Sequence, residues 1–136
     1  MPPSPRPFYY RQTGAIRITV RPAFMADHSR PELRQFVFTY RVRIENTGEQ
    51  AAQLLTRKWL IHDSAGDEME VVGEGVVGLQ PVVEPGDVHE YSSFCVLKSA
   101  AGWMEGHYHF IGEDGEEFDA VIPRFDLSSD IAAGRE

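Results

Sequence analysis

A single cysteine, Cys95, is all the sulfur chemistry this chain holds beyond its methionines. One thiol excludes an intramolecular disulfide and any zinc site built from cysteines, and it fits a reducing compartment. No apolar run approaches the roughly 18–20 residues of a membrane span. The opening Met-Pro-Pro-Ser-Pro-Arg-Pro lacks the apolar stretch of a secretory signal, so the cytoplasm is the expected location. Cations are also scarce: 13 Lys and Arg stand against 21 Asp and Glu, a net charge of −8. That balance argues against nonspecific attraction to nucleic acid or to an anionic membrane, and neither is expected as a partner. The sequence carries no G-x-S-x-G, Walker A or H-E-x-x-H motif, no paired-carboxylate arrangement and no evident nucleophile–base pair. A non-enzymatic protein without a cofactor is the expectation.

What is present is β-sheet patterning. The 136 residues suit one domain, and 42% apolar with 25% charged residues is ordinary globular composition. Four prolines in residues 1–7 predict an extended or disordered start, with 1–14 as a flexible lead-in, 15–127 as the folded domain and 128–136 as a flexible tail. Ile16 to Phe24 alternates, and Met25 to Pro31 reads as a turn. From Leu33 to Glu45 the alternation is strongest: Phe36, Phe38, Tyr40, Val42 and Ile44 share one face, and Val37, Thr39, Arg41, Arg43 and Glu45 the other. Ala51 to Asp63 follows, with Leu55, Trp59 and Ile61 at common parity, then a short strand from Glu68 to Val72. Val88 to Leu97 and Met104 to Ile111 come next, the latter setting Met104, Tyr108 and Phe110 opposite Glu105, His107 and His109. Asp114-Gly115 marks a hairpin returning through Glu117 to Phe125. About seven strands with antiparallel turn signals and no amphipathic helix point to an all-β, two-layer sandwich of immunoglobulin or fibronectin III type, with a closed barrel as the alternative. Ile16 to Phe24, read as an exposed edge strand, predicts self-association into a homodimer.

The glycines between Glu70 and Pro81 raise the question of a ligand. Gly73, Gly75 and Gly78 have the G-x-G-x-x-G spacing of dinucleotide folds. That fingerprint requires a helix opening on the third glycine, so that its N-terminus meets the phosphates. Valines, Pro81, Pro85 and Gly86 follow instead, which cannot sustain a helix. The glycines therefore shape a loop between strands. Its amides could still form an anion-binding nest, for phosphate, pyrophosphate or a nucleotide. Against that, Glu68, Glu70 and Glu74 crowd the stretch, and only Arg57 and Lys58 are nearby cations in sequence. Free nucleotides are expected to bind more weakly than about 1 mM. The loop is instead expected to present Val76, Val77, Leu79 and Gln80 as a core plug or contact surface. Arg57 shares the inward parity of Trp59, so it must meet a loop acid such as Glu74, several carbonyls, or an anion at the glycines.

Other polar clusters read more plainly. His107 and His109 project from one strand face and, with Glu105, offer ligands for a divalent cation, although a solvated sheet face is the favoured reading. Asp27-His28 and His62-Asp63 are adjacent pairs whose side chains diverge on a strand. Cys95 lies in an apolar strand and reads as an inert thiol. The acidic run Glu113 to Glu117 reads as a solvated hairpin tip.

Together, Asp27-His28-Ser29, Phe36-Val37-Phe38, Ile44-Glu45-Asn46, Arg57, Trp59, Ile61, Asp63, Gly73 to Pro81, Pro85-Gly86, Gly106, Tyr108, Asp114-Gly115 and Ile122-Pro123 resemble the ApaG family from about residue 16 to 127. The resemblance implies a fibronectin III-like sandwich. It implies a gene beside diadenosine tetraphosphate hydrolase in many bacteria, and genetic links to cobalt resistance and magnesium efflux. Related domains occur in eukaryotic F-box proteins and a polymerase-associated protein, where they look like protein-interaction modules, and no reaction is securely attached to the family. The implied function is a protein-interaction domain tied to divalent-cation homeostasis, with an unidentified protein partner. Phosphate or nucleotide binding at the glycine loop is the alternative. Two positions depart from the pattern: His89 stands where an aromatic is usual, and Phe94 where a glycine is usual.

Overall fold

A computed structural model describes residues 7–131. Nine strands, β1 (Tyr9–Thr13), β2 (Ile16–Phe24), β3 (Phe36–Asn46), β4 (Ala52–Asp63), β5 (Glu68–Glu74), β6 (Val82–Val83), β7 (Val88–Leu97), β8 (Ala101–Gly112) and β9 (Glu117–Ser128), form two antiparallel sheets. One sheet has the order β1-β2-β3-β7, the other β5-β4-β8-β9, with β6 also paired to β4. Facing apolar sides pack together as a sandwich, the class expected from the alternation. Two single 3₁₀ turns, Ala26–His28 and Pro31–Leu33, occupy the β2–β3 connection.

The alternating face of β3 lies where its pattern put it. Phe38, Tyr40, Val42 and Ile44 are buried, and Phe36 packs partly buried against the same core. Trp59 sits among the aromatic rings of both sheets, tilted against Tyr40 at 5.4 Å and edge-on to Phe125 at 5.9 Å.

Three sequence expectations change in the structure. Tyr9–Thr13, assigned to the lead-in, is a strand paired along β2 through a hairpin turned at Gly14, whose φ is +55°. Consequently Ile16–Phe24 lies between β1 and β3 and is not an edge. In β4 the register slips between Leu54 and Thr56. This bulge makes Leu54 the fully buried partner of Trp59's face, while Leu55 is only half-buried. A second slip on β9 adds a residue around Pro123, so Ile122 and Phe125 are both buried despite opposite parity.

Two buried polar side chains fasten the loops. Asn46 Nδ2 donates to the carbonyls of Gln50 (2.8 Å) and Val83 (2.9 Å), and its Oδ1 accepts from the Gly48 amide at 2.9 Å. Asp63 accepts from the Lys98 amide at 2.6 Å, the Ser99 hydroxyl at 2.5 Å and the Ala65 amide at 3.0 Å. Burial alone would push the Asp63 carboxyl up. The bonds from Ser99, Ala65 and Lys98 outweigh it and hold the group below the usual carboxylate range.

Candidate functional site

The glycine stretch folds into a tight hairpin at the end of β5. Val76 and Leu79 exchange two backbone hydrogen bonds, of 2.8 and 3.0 Å, leaving Val77 and Gly78 as a two-residue turn. Both turn residues are left-handed, Val77 at φ +48° and Gly78 at φ +78°. That is the mirror-image geometry that matches strand twist, and it ordinarily calls for Asn, Asp or Gly at the first central position.

Each glycine has its own physical reason. A Cβ on Gly73 would come within 2.8 Å of the Arg57 guanidinium, and one on Gly75 within 2.1 Å of the Leu79 carbonyl oxygen. At Gly78 there is open space, and the positive φ alone favours glycine. Close packing at Gly73 and Gly75 and the backbone conformation at Gly78 thus account for the spacing without a phosphate. The Gly75 amide donates to the Leu55 carbonyl at 2.9 Å, and the Val76 and Leu79 amides serve the hairpin itself. The Gln80 side chain also donates to the Leu55 carbonyl, at 2.9 Å.

Arg57 lies beneath this hairpin. Its Nη1 donates to the carbonyls of Glu74 (2.9 Å) and Gly75 (2.8 Å), so the main chain takes the contact that the Glu74 carboxylate was expected to make. Several carbonyls in place of one acid satisfy a half-buried guanidinium equally well. Beside Arg57 opens a cleft of about 350 Å³ between the sheets, lined by Tyr40, Trp59, Val71, Val76, Tyr91 and Cys95. Val76 is buried as a plug. Val77 at 66% exposure and Leu79 at 56% project to solvent, and Phe94 of β7, also 66% exposed, lines the cleft with Val77. A neighbouring hollow of about 570 Å³ continues along β5 and β7 past Met69 and Val96.

At the cleft wall the Tyr91 hydroxyl is hydrogen-bonded to that of Tyr108, which is fully buried behind it. Burial pushes both phenols well above the usual range. Cys95 is pushed up to about 12, first by burial and then by the Asp63 charge, so it carries almost no thiolate near neutrality. His89 points inward beside Tyr91, at 6.4 Å between rings, and its Nε2 is buried with no hydrogen-bond partner among the described residues.

The histidine candidates lie elsewhere. His109 spends both ring nitrogens on carboxylates, Nδ1 on Asp119 and Nε2 on Glu117, each at 2.7 Å. Those bonds raise its pKa and favour the imidazolium, which has no lone pair for a metal. His107 approaches the same Asp119 at 4.0 Å, while Glu105 bonds Arg124. Asp27 and His28 are exposed on a 3₁₀ turn. His62 bonds Glu68 at 3.0 Å, and Asp63 is committed to its brace. Among the described residues, no group of three or more His, Cys, Asp or Glu side chains is arranged to hold a metal ion.

Alternation alone missed two features. One is the row Arg124, Trp103, His62 across the second sheet, with the guanidinium 3.8 Å over the indole and the imidazole stacked at 5.0 Å. The other is the outward apolar pair Phe94 and Val96; Ser93-Phe94-Cys95-Val96-Leu97 is apolar on both faces, the signal of either an interior strand or an uncovered edge.

A family model described as the ApaG domain matches residues 26–112. The chain belongs to the ApaG domain family. The Protein ApaG of Anaeromyxobacter dehalogenans (strain 2CP-1) is 50% identical over 115 residues, covering 85% of this chain and 90% of that protein. The Protein ApaG of Rhodospirillum centenum is 47% identical over 121 residues, 89% of this chain and 93% of that one. A solved Bordetella pertussis structure titled as an ApaA protein matches with a TM-score of 0.81 at 40% identity, over 93% of this chain and 97% of that chain. The resemblance seen in Gly73 to Pro81 thus extends along nearly the whole ApaG-type sandwich. No helix among the described residues is long and apolar enough to cross a membrane.

Proposed function

We propose that this ApaG-family sandwich is a non-enzymatic protein-binding module, fibronectin III-like in organisation and cytoplasmic in location. It meets its partner with the tip of the glycine hairpin and the cleft beside it. One observation carries this reading: Val77 is β-branched, left-handed and 66% exposed at the mouth of an apolar cleft. A β-branched residue at positive φ is strained, and glycine would fill the turn without that cost. Buried packing cannot justify a side chain pointing into water, so contact with a partner is the best account of it. Leu79 and Phe94 add apolar area at the same rim. The links to cobalt resistance and magnesium efflux enter through the family resemblance, as the process in which such a partner would act. The Gly75, Val76 and Leu79 amides are committed to the Leu55 carbonyl and to the hairpin itself, which weighs against the phosphate alternative.

The test is a quantitative pull-down from bacterial cytosol with the wild-type chain and with Val77→Gly and Leu79→Ser. Both variants should stay folded and lose a discrete co-purifying protein. Retention of the same proteins by all three chains would overturn the reading.

A further inference from the structure

The four outer strands of the sandwich are not equally guarded. β1 and β9 lie against each other, with the Val121 amide donating to Thr13 Oγ1 at 3.2 Å, so each covers the other's flank. The β5 edge carries exposed Glu68, Glu70 and Glu74, charges that discourage another strand from pairing there. β7 carries one such charge, Glu90 near its start, and none from Tyr91 to Leu97. It runs ten residues, pairs among the described residues with β3 alone, contains no proline, and exposes Phe94 and Val96. Alternate backbone groups along its outer side therefore face away from the sheet, an open template for a further strand.

The sequence of β7 and the residues just after it also says which strand fits. If a second β7 is laid antiparallel with Phe94 opposite Phe94, Ser92 faces Val96, Ser93 faces Cys95 and Tyr91 faces Leu97. At both ends Glu90 then faces Lys98. No like charges are opposed, and two opposite-charge pairs close the ladder around an aromatic centre. Such cross-strand pairs each stabilise a sheet. Glu90 and Lys98 are exposed even with their present partners, Arg41 and Asp67, and can serve both.

We infer that β7 is the self-association edge of this protein: two copies pair through it about a twofold axis at Phe94, joining their four-stranded sheets into one of eight. A symmetric contact of this kind closes on itself and stops at two copies. The dimer edge and the partner surface share Phe94 at the cleft rim, whereas Val77 and Leu79 lie on the hairpin and outside the β7 ladder, so substitutions there tell the two apart.

Sedimentation velocity on the full chain, up to about 200 μM, where a contact of micromolar affinity is populated, should give twice the 15.3 kDa monomer mass. Phe94→Lys places two ammonium groups opposite each other and should give monomer; at a dilution where the wild type is also monomeric the two should melt at the same temperature, since Phe94 is exposed. Glu90→Lys and Lys98→Glu should each weaken the dimer about tenfold by opposing like charges. The double swap should restore it, and Val77→Gly should leave it intact. A wild-type monomer at 200 μM, or a dimer that survives Phe94→Lys, would overturn the inference. Failure of the double swap to restore association would overturn the register.

Discussion

The two flanks of the sandwich are built on opposite plans. On the β1/β9 flank the sheets meet: Tyr9 packs toward Phe125 at 6.2 Å between rings, and Thr13 accepts from the Val121 amide. On the β5/β7 flank they part, leaving hollows of about 350 and 570 Å³ with apolar walls. The same core aromatics serve both, since Trp59 touches Phe125 on one side and lines the cleft on the other. Exposed apolar side chains are therefore more numerous toward the open flank, at Met69, Val72, Phe94 and Val96, than beside the closed one, at Phe8 and Tyr10. An open flank is where a small β-protein can expose apolar side chains without giving up its core.

Substitutions can break that contrast in order of effect. Trp59→Ala removes the ring shared by both flanks and should cost about 3–5 kcal/mol in a denaturant titration. Phe94→Ser, on the open flank, should change stability by less than about 0.5 kcal/mol; a comparable loss in both would erase the distinction. Asp63→Asn keeps the size of the brace but loses its charge and mismatches one of its donors, costing about 1–3 kcal/mol. Because the folded pKa of Asp63 is depressed, its contribution is present above the unfolded value near 3.9 and is lost as pH falls through the lower folded value. The wild type should thus lose stability faster than Asp63→Asn on acidification over that window. Val77→Gly should gain up to about 1 kcal/mol by relieving the left-handed valine, offset by the added chain freedom of glycine. A clear loss instead would mean that Val77 packs structurally. His109 gives the smallest effect. Its folded pKa is raised, so its stabilisation is full below the unfolded value near 6.5 and fades as pH rises through the folded value. Solvent screens an exposed trio of this kind, so His109→Ala should flatten a shallow slope of stability against pH without moving its acid limb.

How much of this was legible in the chain differs between fold and site. The run from Phe36 to Ile44 declared its buried face because period-two alternation survives any tertiary context that keeps the strand straight. Val88–Leu97 was bounded by its turn residues and emerged at those limits. Leu55 misled because a bulge is a local backbone irregularity that reverses parity without changing composition. β1 hid behind a proline-rich start, and five residues are too few for alternation to stand out. At the site, the glycines correctly announced a tight loop. Arg57's contact with carbonyls was indistinguishable from pairing with Glu74, as both partners lie at the same place in sequence. The Val77–Gly78 turn was invisible for a better reason: valine contradicts the residue preference of that turn, and conflicts between local preference and structure gather where function is under load.

The bulge in β4 separates two kinds of information in one strand. Leu55 is the surplus residue of the ladder, so removing it would leave Leu54, Arg57 and Trp59 in phase on the same face, and the sandwich should still close. Its carbonyl, however, receives both the Gly75 amide and the Gln80 side chain. A deletion of this one codon would therefore yield a folded domain whose hairpin has lost two of its ties and keeps those from Arg57. Scaffold and display loop are joined at a point where each could be inherited, or lost, without the other.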